Sequence, residues 1–205
     1  MLLPILLAAS LQASPQVSLV CTNSAATQTQ PVPGPGGVVA VLKVSTEDDH
    51  SKNSHLCNAE YQLLLISGAG GTPRVVELLT SDDDYSRGLS LRLSGFSQDG
   101  KHVFGILSEA GKHLFTMLFD YRATDGSVQL IDITKQFAPI MPAHCSSTLE
   151  VFGTTATGTI VLELHPAKQC AFSRRWLLDS SGNRPQPLSQ DVPILRLYEP
   201  QPATP

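Results

Sequence analysis

Residues Leu89 to Ile133 read LSLRLSGFSQDGKHVFGILSEAGKHLFTMLFDYRATDGSVQLIDI, and this stretch decides the fold. Its apolar residues alternate with polar ones or form short runs, and turn-forming residues interrupt them. This pattern predicts short antiparallel strands that are joined by tight turns. We therefore expect a four-stranded β-meander, whose strands are Leu89–Phe96, His102–Ser108, Leu114–Tyr121 and Val128–Ile133.

Two further units with a similar rhythm flank this meander. Their turn glycines, Gly71 and Gly182, lie 55 residues before and 56 residues after Gly126. A fixed period of this size is typical of stacked or radially repeated units. The strands predicted for the last unit are Ser147–Thr154, Thr159–Leu164, Ala171–Asp179 and Arg184–Leu188.

The first unit is less regular than the other two. It lacks an obvious first strand, and Val17–Val20 is the segment that would have to supply it. Its loop Thr46–His55 holds an excess of about nine residues, which we interpret as an insertion. Near the C-terminus, Val192–Tyr198 matches no unit, and its proline suits an edge or closing strand. The strands predicted within the first unit are Val38–Val44, Tyr61–Ile66 and Val75–Leu79.

The turn Phe96-Ser-Gln-Asp-Gly-Lys101 carries a resemblance to a known family. Together with the strand that ends in Asp120 and the Thr-Asp-Gly turn after it, it resembles the WD40-like β-propeller repeat of TolB-type exported proteins. In that family an F-S-x-D-G-K turn joins the first two strands of a blade. The match covers residues 89–133, and the other units are degenerate.

The resemblance implies an all-β fold of three four-stranded antiparallel units that resemble propeller blades. Propellers usually need at least four blades to close. Two alternatives therefore stay open: another chain completes the propeller, or the three sheets pack as a β-sandwich.

The N-terminus begins with a short apolar stretch that ends in small residues. It is too short to span a bilayer and is typical of a secretory signal peptide, cleaved after Ser10 or Ala13. We expect residues 1–13 to be this signal and residues 14–37 to hold an N-terminal strand and a flexible Pro/Gly-rich connector. Residues 38–198 form the all-β repeat domain, and residues 199–205 a disordered tail. The expected location is secreted or periplasmic.

Four cysteines occur without a C-x-x-C pair, which argues against a metal knuckle or a thioredoxin-type redox site. In an exported chain, structural disulfides are the default interpretation. Cys57 and Cys170 occupy equivalent places before the third strands of their units, and Cys145 precedes a first strand. We predict that Cys21 pairs with Cys57 and that Cys145 pairs with Cys170.

The charge balance limits the classes of ligand. A formal net charge of −4 and a pI near 5.8 argue against nucleic acid, which needs a basic surface. No acidic cluster has the spacing of a known metal site, so we expect no metal and no cofactor. The loop residues that could form a binding surface are Asp82, Asp83, Asp84, His50 and His55.

Two functions are compatible with this sequence, and we assign no catalytic residue. The first is an exported, non-catalytic binding or scaffold protein of the cell envelope. Its partner would be a protein or a glycan, and the chain would also form a homodimer if its blades must be completed. The alternative is a secreted hydrolase of unrecognised type that uses Asp82–Asp84 with His50 or His144. A hydrolase should bring a carboxylate and a histidine together in a deep pocket.

Overall fold

The structure is a computed structural model that describes residues 17–19, 25–49, 56–68, 71–81, 86–111, 115–141, 147–166, 173–179 and 184–200. The regular secondary structure of these residues is almost entirely β-strand, which confirms the all-β prediction. One short 3₁₀ helix, Pro35–Gly37, and one α-helix, α1 (Ile133–Phe137), interrupt them. The strands are β1 (Val17–Leu19), β2 (Ala25–Gln28), β3 (Val32–Pro33), β4 (Val38–Asp49), β5 (Leu56–Ser67), β6 (Arg74–Ser81), β7 (Ser86–Phe96), β8 (His102–Gly111), β9 (Phe115–Arg122), β10 (Val128–Asp132), β11 (Ser147–Thr155), β12 (Ile160–Pro166), β13 (Arg175–Leu178), β14 (Gln186–Pro187) and β15 (Ile194–Arg196).

The described strands form three antiparallel sheets, one for each predicted unit. The first sheet has the order β2-β4-β5-β6, with β3 also paired to β4. The middle sheet has the order β1-β7-β8-β9-β10, and the third sheet has the order β14-β13-β12-β11-β15. Four strands of each sheet follow one another along the chain, as the meander pattern predicts.

The middle sheet lies between the other two. One hydrophobic cluster joins its face to the first sheet, through residues such as Leu42, Tyr61 and Phe119. A second cluster joins its opposite face to the third sheet, through residues such as Phe104 and Leu162. The middle sheet is therefore buried on both faces.

Burial on both faces explains the sequence of β8. From Val103 to Leu107 every residue of this strand is buried, so no polar residue alternates with the apolar ones. Strands that are covered on both sides commonly show such continuous apolar runs. Gly105 is required here because a Cβ at this position would overlap the ring of Phe119.

The Phe96–Lys101 turn is held by its own side chains. The Ser97 hydroxyl donates to Oδ1 of Asp99 at 2.7 Å, and the N–H of Lys101 donates to the same oxygen at 3.1 Å. These hydrogen bonds, that of Ser97 first, lower the pKa of Asp99 to about 2. Gly100 has a φ of 70°, the left-handed region that favours glycine.

The second turn of the middle sheet is also held by hydrogen bonds of its own side chains. The hydroxyl and the N–H of Ser127 both donate to Oδ1 of Asp125, at 2.6 and 2.9 Å. These two bonds lower the pKa of Asp125. Gly126 again has a positive φ, 73°. Short turns of this kind fix the register of the strands that they connect.

The N-terminal part of the chain differs from the expectation in two ways. Residues within the expected connector form β2 and β3, which pair with β4 and supply the missing first strand of the first sheet. Val17–Leu19 pairs instead with β7 of the middle sheet. The sequence did not reveal the pairing of β2 and β3 with β4, because each of these two strands is too short to show periodicity and turn residues lie between them.

The interpretation of Thr46–His55 as an inserted loop is wrong for its first part. β4 continues to Asp49 and pairs without interruption with β5, from Val38 opposite Ser67 to Asp49 opposite Leu56. The extra residues therefore lengthen a hairpin. Polar residues on an extended hairpin resemble a loop in the sequence because they lack the alternation of apolar and polar residues that is typical of a strand.

The C-terminal strand also has a sheet to join. β15 pairs with β11, with Gly153 opposite Arg196 and Thr155 opposite Ile194. Beyond it, the N–H of Tyr198 donates to the carbonyl of Phe96 at 2.8 Å. β15 is thus the edge strand of the third sheet, as its proline indicated, and a homodimer stays a prediction.

Several expectations concern residues that the structure does not describe. The signal peptide (1–13), three of the cysteines and the end of the tail (201–205) lie outside the described residues. Of Cys57 only the backbone is described, in β5. In the described part of the chain, no helix is long and apolar enough to cross a membrane.

Candidate functional site: a cleft between the middle and third sheets

The described residues enclose a half-open cleft of about 460 Å³ between the middle and the third sheet. We call it the interlayer cleft. A volume of this size is typical of ligand pockets. Its lining residues are Ser90, Arg92, Ile106, Ser108, Thr116, Ile133, Thr134, Phe137, Ala138, Met141, Thr148, Leu149 and Leu164.

Helix α1 forms one wall of the interlayer cleft. The helix begins where the side chain of Asp132 accepts a hydrogen bond from the N–H of Lys135 at 2.8 Å, a typical N-cap. The hydroxyl of Thr134 accepts from the N–H of Thr116 at 2.8 Å, which ties the helix to β9. The N-terminal part of the helix is therefore fixed against the middle sheet.

Phe137 connects this wall to the third sheet. It is buried and meets the ring of Trp176 edge-on, with 5.6 Å between the ring centroids. The indole N–H of Trp176 donates to the carbonyl of Ser173 at 2.6 Å. Along β13 the burial alternates, so Trp176 is buried and Arg175 is half-buried on the other face.

Arg92 supplies a positive charge to the interlayer cleft. It extends from β7 and donates to the carbonyl of Leu149 on β11 at 3.2 Å, and its guanidinium lies 3.6 Å from a carboxylate oxygen of Glu150. Arg92 thereby links the middle and the third sheet. A charged side chain at the edge of an apolar cavity orients a ligand that has an acceptor.

The remaining polar groups of the cleft are hydroxyls. Ser108 donates to Thr116 at 3.3 Å, and Ser90 and Thr148 add two more. Among the described residues that line the cleft there is no carboxylate and no histidine. The arrangement provides apolar surface, hydroxyls and one cation, which suits binding. Next to the cleft, the carboxylate of Glu150 lies 3.6 Å from the guanidinium of Arg92 and 3.6 Å from Nε2 of His165.

The loop residues predicted as a binding surface, Asp82, Asp83, Asp84, His50 and His55, lie outside the described residues. The described residues that precede these two segments lie close to one another. Thr46 pairs with Ala59, and Ala59 pairs with Ser81 on its other side. The structure thus brings one flank of each segment to the same end of the first sheet. The other flank of residues 82–85 is Ser86, which begins β7, the strand whose Ser90 and Arg92 line the interlayer cleft.

A histidine and a carboxylate do meet elsewhere, in the middle sheet. Nδ1 of His102 lies 2.7 Å from Oδ1 of Asp120, which is buried, and Nε of Arg122 lies 3.9 Å from the other oxygen. Ser97, the nearest serine along the chain, has its hydroxyl engaged in the turn with Asp99 and the N–H of His102. This pair joins β8 to β9 and lies beside a turn, not in the interlayer cleft.

Sequence reasoning missed α1, and with it the cleft. The segment after Val128 reads as a strand because Leu130, Ile131 and Ile133 are apolar. One signal was present: Asp132 is a good N-cap, and Ile133 and Phe137 are four residues apart, as one face of a helix requires. The lining residues come from β7, β8, β9, β11, β12 and the segment that contains α1, so no local motif marks them.

We compared the chain with known protein families, proteins and structures. No protein-family model, no curated protein and no solved structure matches this chain.

Proposed function

We propose that this protein is an exported, non-catalytic binding protein of the cell envelope and that it binds its partner in the interlayer cleft. The observation that carries the proposal is the composition of the cleft. Apolar side chains from both sheets and α1 surround one guanidinium and several hydroxyls, without a carboxylate or a histidine among the described lining residues. Such a site binds and orients a ligand, whereas a hydrolase needs a nucleophile with an acid–base partner.

The partner is a protein segment or a glycan that presents an apolar group and a hydrogen-bond acceptor. The apolar group would pack against Phe137 and Leu149. The acceptor would face the guanidinium of Arg92, which lies at the cleft beside Leu149 and Glu150. Export rests on the apolar leader in the sequence.

Photo-crosslinking in the cells that make the protein tests this proposal. A photoreactive phenylalanine analogue would replace Thr148, an exposed residue at the rim of the cleft, in one variant. In the control it would replace Gln190, which is exposed and does not line the cleft. We expect a discrete adduct in the envelope fraction from the Thr148 position only.

A second variant controls for access to the cleft. Ala138→Trp places a large ring at an exposed lining position, and it should abolish the adduct at Thr148 without changing the unfolding midpoint. Equal labelling from Thr148 and Gln190, or labelling that Ala138→Trp leaves unchanged, would contradict binding in the interlayer cleft. Recovery of the protein only from the cytoplasm would contradict export.

A further inference from the structure

The outward face of the third sheet holds a ring that lies between two arginines. Cζ of Arg175 lies 3.9 Å from the centroid of the Phe152 ring, and Cζ of Arg196 lies 4.1 Å from the same centroid. These distances are well within the range of a cation–π contact. We call Phe152, Arg175 and Arg196 the arginine–phenylalanine sandwich.

The fold brings these three residues together from separate strands. Phe152 lies at the irregularity of β11 between Val151 and Gly153, where the register shifts. Arg175 comes from β13, and Arg196 comes from the C-terminal strand β15, where it is opposite Gly153. The site therefore depends on the pairing of β15 with β11.

The two guanidinium groups must lie on opposite faces of the ring. Two groups so near one centroid on a single face would overlap. The Cζ atoms are then at most about 8 Å apart, the sum of the two distances. A guanidinium that stacks on a ring leaves its N–H groups, which lie in its plane, available at the edge.

The charge on this face is not balanced. Nε of Arg175 lies 3.7 Å from a carboxylate oxygen of Glu163. Arg196 is exposed, packs on the Phe152 ring, and forms no ion pair with the described residues. The sandwich carries net positive charge on a chain whose formal net charge is −4.

We propose that the arginine–phenylalanine sandwich binds an acidic, extended segment of a partner protein. A single carboxylate or phosphate cannot reach both guanidinium groups across the ring, so the ligand must carry two separated anionic groups. An extended peptide places side chains i and i+2 on one face about 6.6–6.8 Å apart. Carboxylates at these positions can each meet one guanidinium in the two-point geometry that arginine favours. This site is independent of the interlayer cleft.

Fluorescence anisotropy with a labelled peptide tests the proposal. The probe is a capped peptide with two aspartates separated by one serine, used at low salt with the full mature chain. We expect saturable binding that weakens about tenfold or more in Arg196→Gln, because a charge-assisted pair is lost. Arg196→Lys keeps the charge without the planar fork and should weaken binding less than Arg196→Gln does.

The controls separate this site from general attraction between charges. Arg184→Gln removes the same charge from an exposed position before β14, at the opposite edge of the third sheet, and should leave the affinity unchanged. A peptide with one aspartate should bind about tenfold more weakly, and one with two asparagines should not bind. Phe152→Leu removes the ring that orders both arginines and should weaken binding while urea unfolding shows that the fold persists.

Three results would overturn the proposal. The first is no binding of the two-aspartate peptide at low salt. The second is equal weakening by Arg184→Gln and Arg196→Gln, which would mean attraction by net charge alone. The third is equal affinity for the peptides with one and two aspartates.

Discussion

Nδ1 of His102 and Oδ1 of Asp120 lie 2.7 Å apart, and Asp120 is buried. A carboxylate only accepts hydrogen bonds, so Nδ1 of the imidazole carries the proton. The imidazole also stacks on the ring of Phe104, with 5.7 Å between centroids. The pair joins the first residue of β8 to β9 next to the Phe96–Lys101 turn, so we assign it a role in stability.

Removal of the carboxylate from this pair should destabilise the protein. Asp120→Ala leaves the Nδ1–H of His102 without its acceptor in a partly buried position. We expect a loss of about 1–3 kcal/mol in the free energy of unfolding, measured with urea. Asp120→Asn retains an acceptor oxygen and should cost less. Asp191→Ala removes an exposed aspartate and should stay within about 0.5 kcal/mol of the wild type. An Asp120→Ala protein as stable as Asp191→Ala would contradict this role.

Acid should weaken the Phe96–Lys101 turn at a defined pH. The pKa of Asp99 is about 2 in the fold, against an ordinary value of 3.8. Because folding lowers this pKa, the charged carboxylate stabilises the protein above pH 3.8, and the contribution is lost as the pH falls towards 2. Asp99 is half exposed, so solvent screening keeps the effect below about 1 kcal/mol.

The variant Asp99→Asn tests this pH dependence. It should be less stable than the wild type at pH 7, and the difference in the free energy of unfolding should shrink as the pH approaches 2. Urea unfolding at several pH values measures it. A difference that stays constant over this range would show that the carboxylate charge does not stabilise the turn.

The sequence was sufficient for features that depend on local chemistry. The two turns of the middle sheet were predictable because their own residues determine them. Ser97 and Asp99 form hydrogen bonds within the first turn, and Gly100 and Gly126 adopt the positive φ angles that the turns require. Strand positions followed from these turns. The partners of the outer strands were not predictable in this way, because β1 and β15 pair with strands that are distant along the chain, and pairing at long range leaves no local signal.

The candidate site was harder to predict than the fold. α1 forms one wall of the interlayer cleft and places Phe137 against Trp176 of the third sheet. The lining residues of the cleft are ordinary core residues and hydroxyls, and only packing brings them together. Arg92 reads as the polar member of an alternating strand, and only the structure shows that it reaches Leu149 on another sheet.

The cysteines should form two disulfides in the exported protein. We predict bonds between Cys21 and Cys57 and between Cys145 and Cys170, each of which closes a loop of roughly 25 to 40 residues. Each bond should contribute on the order of 3–4 kcal/mol to stability. Peptide mapping without reduction identifies the pairs, and urea unfolding with and without reductant measures the contribution. A Cys21–Cys145 or Cys21–Cys170 peptide would show a different pairing.

The C-terminal strand should protect the edge of the third sheet. β15 pairs with β11. The N–H of Tyr198 donates to the carbonyl of Phe96 in β7, and the side-chain amide of Gln98, in the turn after β7, donates to the carbonyl of Leu197. A chain that ends at Gln190 would expose the backbone N–H and C=O groups of β11, and open strand edges promote association. We expect this truncated chain to unfold at lower urea concentration and to show a higher mass by light scattering than the full mature chain at the same micromolar concentration.

A chain that ends at Pro200 is the matched control, since it keeps β15 and removes only residues 201–205. It should behave as the full chain does in both measurements. The homodimer is tested in the same experiment: a full mature chain of twice the monomer mass would support it, and a monomer would favour three sheets that are complete within one chain. If the chain that ends at Gln190 matches the control in both mass and unfolding midpoint, β15 does not protect the edge of β11.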